Sequence, residues 1–569
     1  SALTALVLAT VLFFAAGDAA ANQYTVWATS IFHRTGERTP EVLGYIPTTL
    51  TSYGAQQVHN SGTFFRQRHV SSASTNPVNS APIQGLSSNR VDNLQVFVGA
   101  LDEQWTVASA QAFLQGLYPP YTLNASTASL LDPTSILANG TYVENPLSGY
   151  QYGQVHSFGG YDPEFPYLGG SLDCPAFDIA AVEYANTPQF AAVEAESRHI
   201  YQAIGQPLLR SVLNPSAWDY FNAYAIYDYL NYQRSHNATV AALLSQPQYI
   251  NATTKVSYFD QLRWYADHQQ WAQLTNLTAQ NNYTGKSEAL PGRIKGSIST
   301  IAGNLLAAKM LAQLQVAIQT SGSYYKFSAL FGDFEPMVSL FALLGLPNIN
   351  SNFYGIPDFG SVAVFELFSY TNNSMSMLFP STSDLWVRFY FRNGSGGTNE
   401  TSGNYQSYPI FNRGPSQTDM TWHDFQTGMY GILLADIGSW CTQCGATNLF
   451  CAAWNSSDAT TNTTDSTTFT TQRQMKPAIA GVIGAVVTLV VAGLVFALAM
   501  LVGGVRFHRT ERRSRSELGG FKGSQKLASD RDLTNVPKGG ATVGASIERS
   551  PDSPLSPIGH ERVGSWELK

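Results

Sequence analysis

Charge is what this chain has least of. Lys, Arg, Asp and Glu make up 12% of its 569 residues, about half of the roughly 25% usual in soluble globular proteins. Something other than charge must hydrate its surface. The basic sign is the scarcer one. The last 64 residues hold 12 Lys+Arg against 8 Asp+Glu, which leaves 20 against 31 for the remainder. A body near −11 lacks the basic stripe that nucleic acid requires, so nucleic-acid binding is excluded. Cysteine is scarce as well: Cys174, Cys441, Cys444 and Cys451 are all there are. So few cannot make a disulfide-dense miniprotein, and Cys441-x-x-Cys444 has no second ligand pair at zinc spacing, so no metal or cofactor is expected. An even count in an oxidising compartment predicts two disulfides near the C-terminal end of the domain, with three pairings open.

What is present is apolar and one-sided. Residues 1–21 form an apolar run ending in small residues, the shape of a secretory signal peptide. Residues 477–505 carry no charge over 29 positions, more than the roughly 20 that a membrane-spanning helix needs. Arg506, Arg509, Arg512, Arg513 and Arg515 follow at once, and basic flanks stay cytoplasmic. A single-pass type I protein of the plasma membrane or secretory-pathway membranes is predicted. Eleven Asn-x-Ser/Thr sequons, at Asn124, Asn139, Asn237, Asn251, Asn276, Asn282, Asn372, Asn393, Asn399, Asn455 and Asn462, all precede the span. Glycans there would supply the hydration that charge does not. The Ser/Thr-rich stretch 455–476 reads as a stalk, and 506–569 as a disordered cytoplasmic tail. Ser550, Ser553 and Ser556, each before proline, are candidates for phosphorylation.

Residues 22–454 read as one α/β ectodomain. Strands are predicted at 23–32, 324–331, 362–368 and 385–391, and helices at 109–117, 301–318 and 337–344. The aromatic, Asn/Gln-rich middle, roughly 150–295, reads as an inserted, mainly helical cap.

The loop after the first strand is Arg34-Thr35-Gly36-Glu37-Arg38-Thr39-Pro40. Here the chain resembles the histidine acid phosphatases, branch two of the histidine phosphatase superfamily, whose signature is Arg-His-Gly-x-Arg-x-Pro. Leu50-Thr51, Gly54, Gln57, Gly62, Phe65, Arg66 and Arg68 look like its next segment, and Ser109-Ala110-Gln111 through Gly116-Leu117-Tyr118-Pro119-Pro120 like the helix after that. The resemblance implies a phosphoglycerate-mutase-like three-layer core beneath the cap, acid phosphatase (phosphomonoesterase) activity, and phosphate ligands at Arg34 and Arg38.

Hydrolysis through a covalent intermediate needs a nucleophile with a labile phosphoryl form, cations facing about two negative charges, and an acid for the leaving alkoxide. The motif's His is Thr35 here, and a phosphothreonine would be as stable an ester as the substrate. By spacing, Trp105 stands where the family has a further phosphate-binding Arg, and indole cannot replace guanidinium. Asp333-Phe334 stands where it has His-Asp; Glu335 matches the Glu of a His-Ala-Glu variant and is the candidate proton donor. His423-Asp424 is expected to be structural, with Asp424 capping a helix. Three functions follow: a pseudophosphatase retaining part of an anion pocket, for a phosphate ester or another anion; an active phosphatase or phytase-like enzyme using His33 or a water activated by Asp333 or Glu335; and a surface receptor or adhesion protein.

Overall fold

The computed structural model describes residues 24–71, 80–123, 132–285, 290, 294–370, 378–395 and 405–458. The stretches read as signal peptide, membrane span and tail, the last with Ser550, Ser553 and Ser556, and the sequons at Asn124, Asn372, Asn399 and Asn462 lie outside the described residues. Most of the stalk does too.

An eight-stranded mixed sheet organises the described chain. Its strands are β1 (Tyr24–Arg34), β2 (Val96–Leu101), β3 (His156–Phe158), β4 (Phe327–Gly332), β5 (Val362–Tyr370), β6 (Leu385–Arg392), β7 (Tyr405–Tyr408) and β8 (Asp419–Thr421). The order is β3-β2-β4-β1-β5-β6-β7, with β8 beside β6. Neighbours from β3 to β1 are parallel, and those from β1 onward antiparallel. The central strands β1, β2 and β4 are almost wholly buried. Strands covered on both faces read as unbroken apolar runs rather than alternations, as these do.

One face is covered by α1 (Ser52–Phe65) and α2 (Gln104–Leu117), where Val58, Phe65, Ala110 and Phe113 pack under Ile31 and Val98. The cap then supplies α3 (Pro175–Tyr184), α4 (Pro188–Ile204), α5 (Ala223–His236), α6 (Ala238–Leu244) and α7 (Tyr258–Leu274), which enclose a core of their own around Tyr201, Tyr220, Leu230 and Leu262. The opposite face of the sheet carries α8 (Ile301–Gln319), α9 (Glu335–Leu344) and α10 (Trp422–Tyr430), packed through Leu311, Met337, Leu340 and Phe425. Residues 298–319 are apolar and long enough to cross a membrane by composition, yet they are mostly buried in the protein. This stretch is a core helix.

The chain closes with α11 (Ile437–Cys444) and α12 (Leu449–Asp458). The pairing left open by sequence is Cys174–Cys444 and Cys441–Cys451. The first ties the start of α3 to the end of α11 across 270 residues. Helix α12 runs four residues past Trp454, so the stretch read as stalk begins in helical backbone. His423 and Asp424 are structural, as expected, but the cap is Thr421: its hydroxyl accepts from the Asp424 amide at 3.1 Å, placing Asp424 in the first turn of α10.

Candidate functional site

Three parallel strands deliver their C-terminal ends to one place, where open α/β sheets hold their ligands. Arg34 is the last residue of β1, with Thr35 to Pro40 as the loop beyond it. Asp333 follows β4 and leads into α9, while Glu103 and Trp105 follow β2 at the start of α2.

The loop is held by its backbone. The Thr35 amide donates to the Gly332 carbonyl at 3.1 Å, Gly36 to Ser109 Oγ at 3.2 Å and Glu37 to Gln57 Oε1 at 2.9 Å. A Cβ on Gly36 would stand 2.2 Å from the Gly54 carbonyl oxygen, so the loop can lie on α1 only with glycine there. Thr51 caps α1 by accepting from the Gly54 amide and also donates to Glu37 Oε1 at 2.9 Å. The motif therefore keeps its scaffold.

Its side chains have been reassigned. Thr35 Oγ1 donates to Asp333 Oδ1 at 3.2 Å, and Trp105 Nε1 donates to Asp333 Oδ2 at 3.3 Å. Arg38 Nε lies 3.9 Å from Asp333 Oδ1, while Arg38 Nη1 meets Asp228 Oδ2 at 3.1 Å and Nη2 stands 3.6 Å from Glu41. Thr35 and Trp105 thus both turn to the Asp333 carboxylate. Asp333 sits where these groups converge.

Arg34 is buried and engaged differently. Its Nη1 donates to the Pro357 carbonyl, and its guanidinium lies 4.0 Å from the Phe359 ring centroid and 5.1 Å from that of Phe334. Phe334 is fully buried at the start of α9. The buried Nε–H groups of Arg34 and Arg38 make no hydrogen bond, the contact of Arg38 Nε with Asp333 at 3.9 Å being an ion pair only. The cavity that Arg34 lines with Tyr224, Asp228 and Asp358 measures 20 Å³, room for about one water.

The charge tally follows. Arg34 and Arg38 face Asp333, Asp228 and Glu41, with Glu335 and Glu103 beside them. Burial and the nearby Asp333 push Glu335 up to about 8 and Glu103 up to about 7. Burial alone would lower Arg38, but Tyr224, Asp333, Asp228 and Glu41 together hold it well above its usual value. A unit charge 4 Å from another at the protein surface feels about 4 kcal/mol, so a phosphate beside Asp333 would meet repulsion comparable to the pull of Arg38.

His33 is excluded as a substitute nucleophile. Its side chain points into the core beneath α1, with Nε2 2.8 Å from Ser61 Oγ, and its ring is stacked on Phe331. Burial drives it down to about 3, so it is a neutral core histidine.

Sequence reasoning found Arg34, Thr35, Arg38, Asp333 and Glu335, and the fold brings all five together. It missed Asp228 and Tyr224 on cap helix α5, Glu103, and the Pro357–Phe359 turn. Asp228 is the single carboxylate within the aromatic run 223–232, the one local hint that this face meets a cation.

Residues 38–392 match the histidine phosphatase superfamily (branch 2), and the chain belongs to that family. The match begins at Arg38, just past the altered Thr35. No curated protein matches the chain. Solved structures similar to it include the phytase of Klebsiella sp ASR1, 14% identical, covering 73% of this chain and 99% of that one with a TM-score of 0.44. Another is the multiple inositol polyphosphate phosphatase of Bifidobacterium longum in complex with phosphate, 13% identical over 74% of this chain and 95% of that one, TM-score 0.38.

Proposed function

We propose that this chain is a membrane-anchored, glycosylated pseudophosphatase: a member of its family that has stopped hydrolysing phosphate esters and whose former phosphate seat is taken by its own Asp333. One observation carries the reading. Thr35 Oγ1, Trp105 Nε1 and Arg38 all converge on that carboxylate.

The chemistry agrees at each step. Thr35 offers no labile intermediate. Both Asp333 oxygens already accept hydrogen bonds, which leaves them poorly placed to activate a water. Glu335, protonated at neutral pH, can donate a proton but has no nucleophile to serve. Membrane anchoring rests on the uncharged run 477–505 and its arginine flank, and glycosylation on sequons confined to one side of it. What such a chain retains is a shaped surface at a membrane, suited to recognition rather than turnover.

The buried Nε–H groups of Arg34 and Arg38, neither of them hydrogen-bonded, favour a second reading, a residual site for a small anion. Thermal unfolding with and without phosphate or vanadate separates the two. The first predicts an unmoved midpoint for the wild type and a phosphate-dependent rise for Asp333→Ser, which empties the seat. A rise in the wild type that Arg34→Ala abolishes would establish the second.

A further inference from the structure

A large cavity lies away from Asp333, on the other side of the 355–358 segment. It measures 870 Å³, within the roughly 300–1,000 Å³ of ligand sites. Helix α7 forms one wall, the 350–358 segment the floor, and the ends of β6 and β7 the other wall. Its aromatic lining includes Trp264, Trp271, Phe353, Tyr354 and Tyr408. Trp264 and Tyr354 are 52% and 45% exposed, so both rings are open to a ligand entering the cavity.

The polar lining carries little free charge. Arg263 is held between Asp267 at 3.3 Å and Asp358 at 2.9 Å, and burial keeps His268 below its usual value, with Nδ1 2.8 Å from Tyr220 Oη. Asn350, Asn352 and Gln406 add uncharged donors and acceptors. Rings and amides with compensated charge suit a neutral sugar, whose C–H faces stack on aromatics while its hydroxyls bond to amides. A phosphate ester would find no spare cation.

One possible occupant is covalently at hand. Asn393-Gly394-Ser395 is a glycosylation sequon, Asn393 lines this same cavity, and its side chain is exposed. The amide is held in one direction. Its Oδ1 accepts from the Asp358 amide and from Ser361 Oγ, both at 2.9 Å, and Nδ2 donates to Asp358 Oδ2 at 3.2 Å. That uses one of the two Nδ2 hydrogens and leaves the other as the position a glycan would take.

We propose that the glycan carried by Asn393 folds back into this cleft, stacking on Trp264 and Tyr354, so that the cleft is a seat for the protein's own neutral sugar. Attachment replaces one Nδ2–H by a bond to the first sugar's anomeric carbon; the lipid-linked donor of the secretory pathway supplies the oligosaccharide, and its diphosphate leaves with the displaced proton.

Full-length chain from a glycosylating eukaryotic host is digested in native form with an N-glycan amidase, and release is followed site by site by mass spectrometry. Asn139, exposed and unconnected with the cavity, is the reference. The expected result is an occupied Asn393 whose glycan is released about tenfold more slowly than that of Asn139, the factor given by ~1.4 kcal/mol of seating. Trp264→Ala and Tyr354→Ala, both exposed positions tolerant of truncation, should each bring the two rates together, and denatured wild type should show no difference. Ser395→Ala should remove the glycan while leaving Asn393 in place. An unmodified Asn393, equal native rates, or slow release that persists in both aromatic variants would overturn the proposal. None of these outcomes depends on whether Asp333 fills the phosphate seat.

Discussion

Asp333 is the residue on which the account turns, and Glu335 is where its electrostatics can be measured. A carboxyl raised in the folded state holds its proton more tightly there than in the unfolded chain. Its contribution to stability is therefore full below the ordinary value of 4.5 and lost as pH rises through about 8. Glu335→Gln, neutral throughout, should gain on the wild type in denaturant unfolding as pH rises from about 5 to about 9, by on the order of 4 kcal/mol. A constant difference would place Glu335 in water. The motif residues were legible in the sequence because the signature fixes their spacing along one loop and one strand end. Their partners were not. Asp228 lies 190 residues from Arg38, and nothing in a single sequence reports which distant carboxylate answers a buried guanidinium. The same limit hid the surroundings of Arg34, which Phe334 and Phe359 enclose between rings.

At the scale of elements, β1, β4, β5 and β6 and the helices α2, α8 and α9 were readable from apolar runs and periodicity, with ends displaced by a few residues, whereas the central strand β2, short and interrupted by Gly99, was missed. The strand expected at 324–331 begins at Phe327 because Tyr325 and Lys326 pair outside the strand ladder, and α2 starts at Gln104 rather than 109 because Glu103 and Thr106 close its first turn with a 2.9 Å hydrogen bond. The edge strands β3, β7 and β8, three or four residues each, carry too little pattern to be seen. The cap was recognisable by composition, but its attachment to the core was not. That attachment includes the Arg38–Asp228 pair between the motif loop and α5. Removing one partner of a buried pair leaves the other uncompensated, so Asp228→Ala should cost about 3 kcal/mol in unfolding free energy. Limited proteolysis should then cut the cap first, and a loss below about 0.5 kcal/mol, the range of ordinary surface changes, would show that Asp333 and Glu41 suffice for Arg38.

For the whole molecule, the scarcity of charge, the one-sided sequons and the arginine flank at 506–515 belong to one proposal: a glycan-covered body outside a membrane with a basic tail inside. In eukaryotic cells the chain should sediment with membranes, resist alkaline washing and fall in apparent mass on deglycosylation; a soluble, unshifted protein would refute that organisation. An acidic body whose Arg38 is already paired with Asp228 and whose Arg34 is enclosed between rings does not draw phosphate esters toward it. The most direct test of the central claim is hydrolysis of para-nitrophenyl phosphate and phytate by the purified chain, from acid to neutral pH, beside a Thr35→Val, Glu335→Gln control. Rates indistinguishable from the control at every pH are predicted. A wild-type rate well above the control would show that Asp333 yields its place to substrate and that the site still turns over.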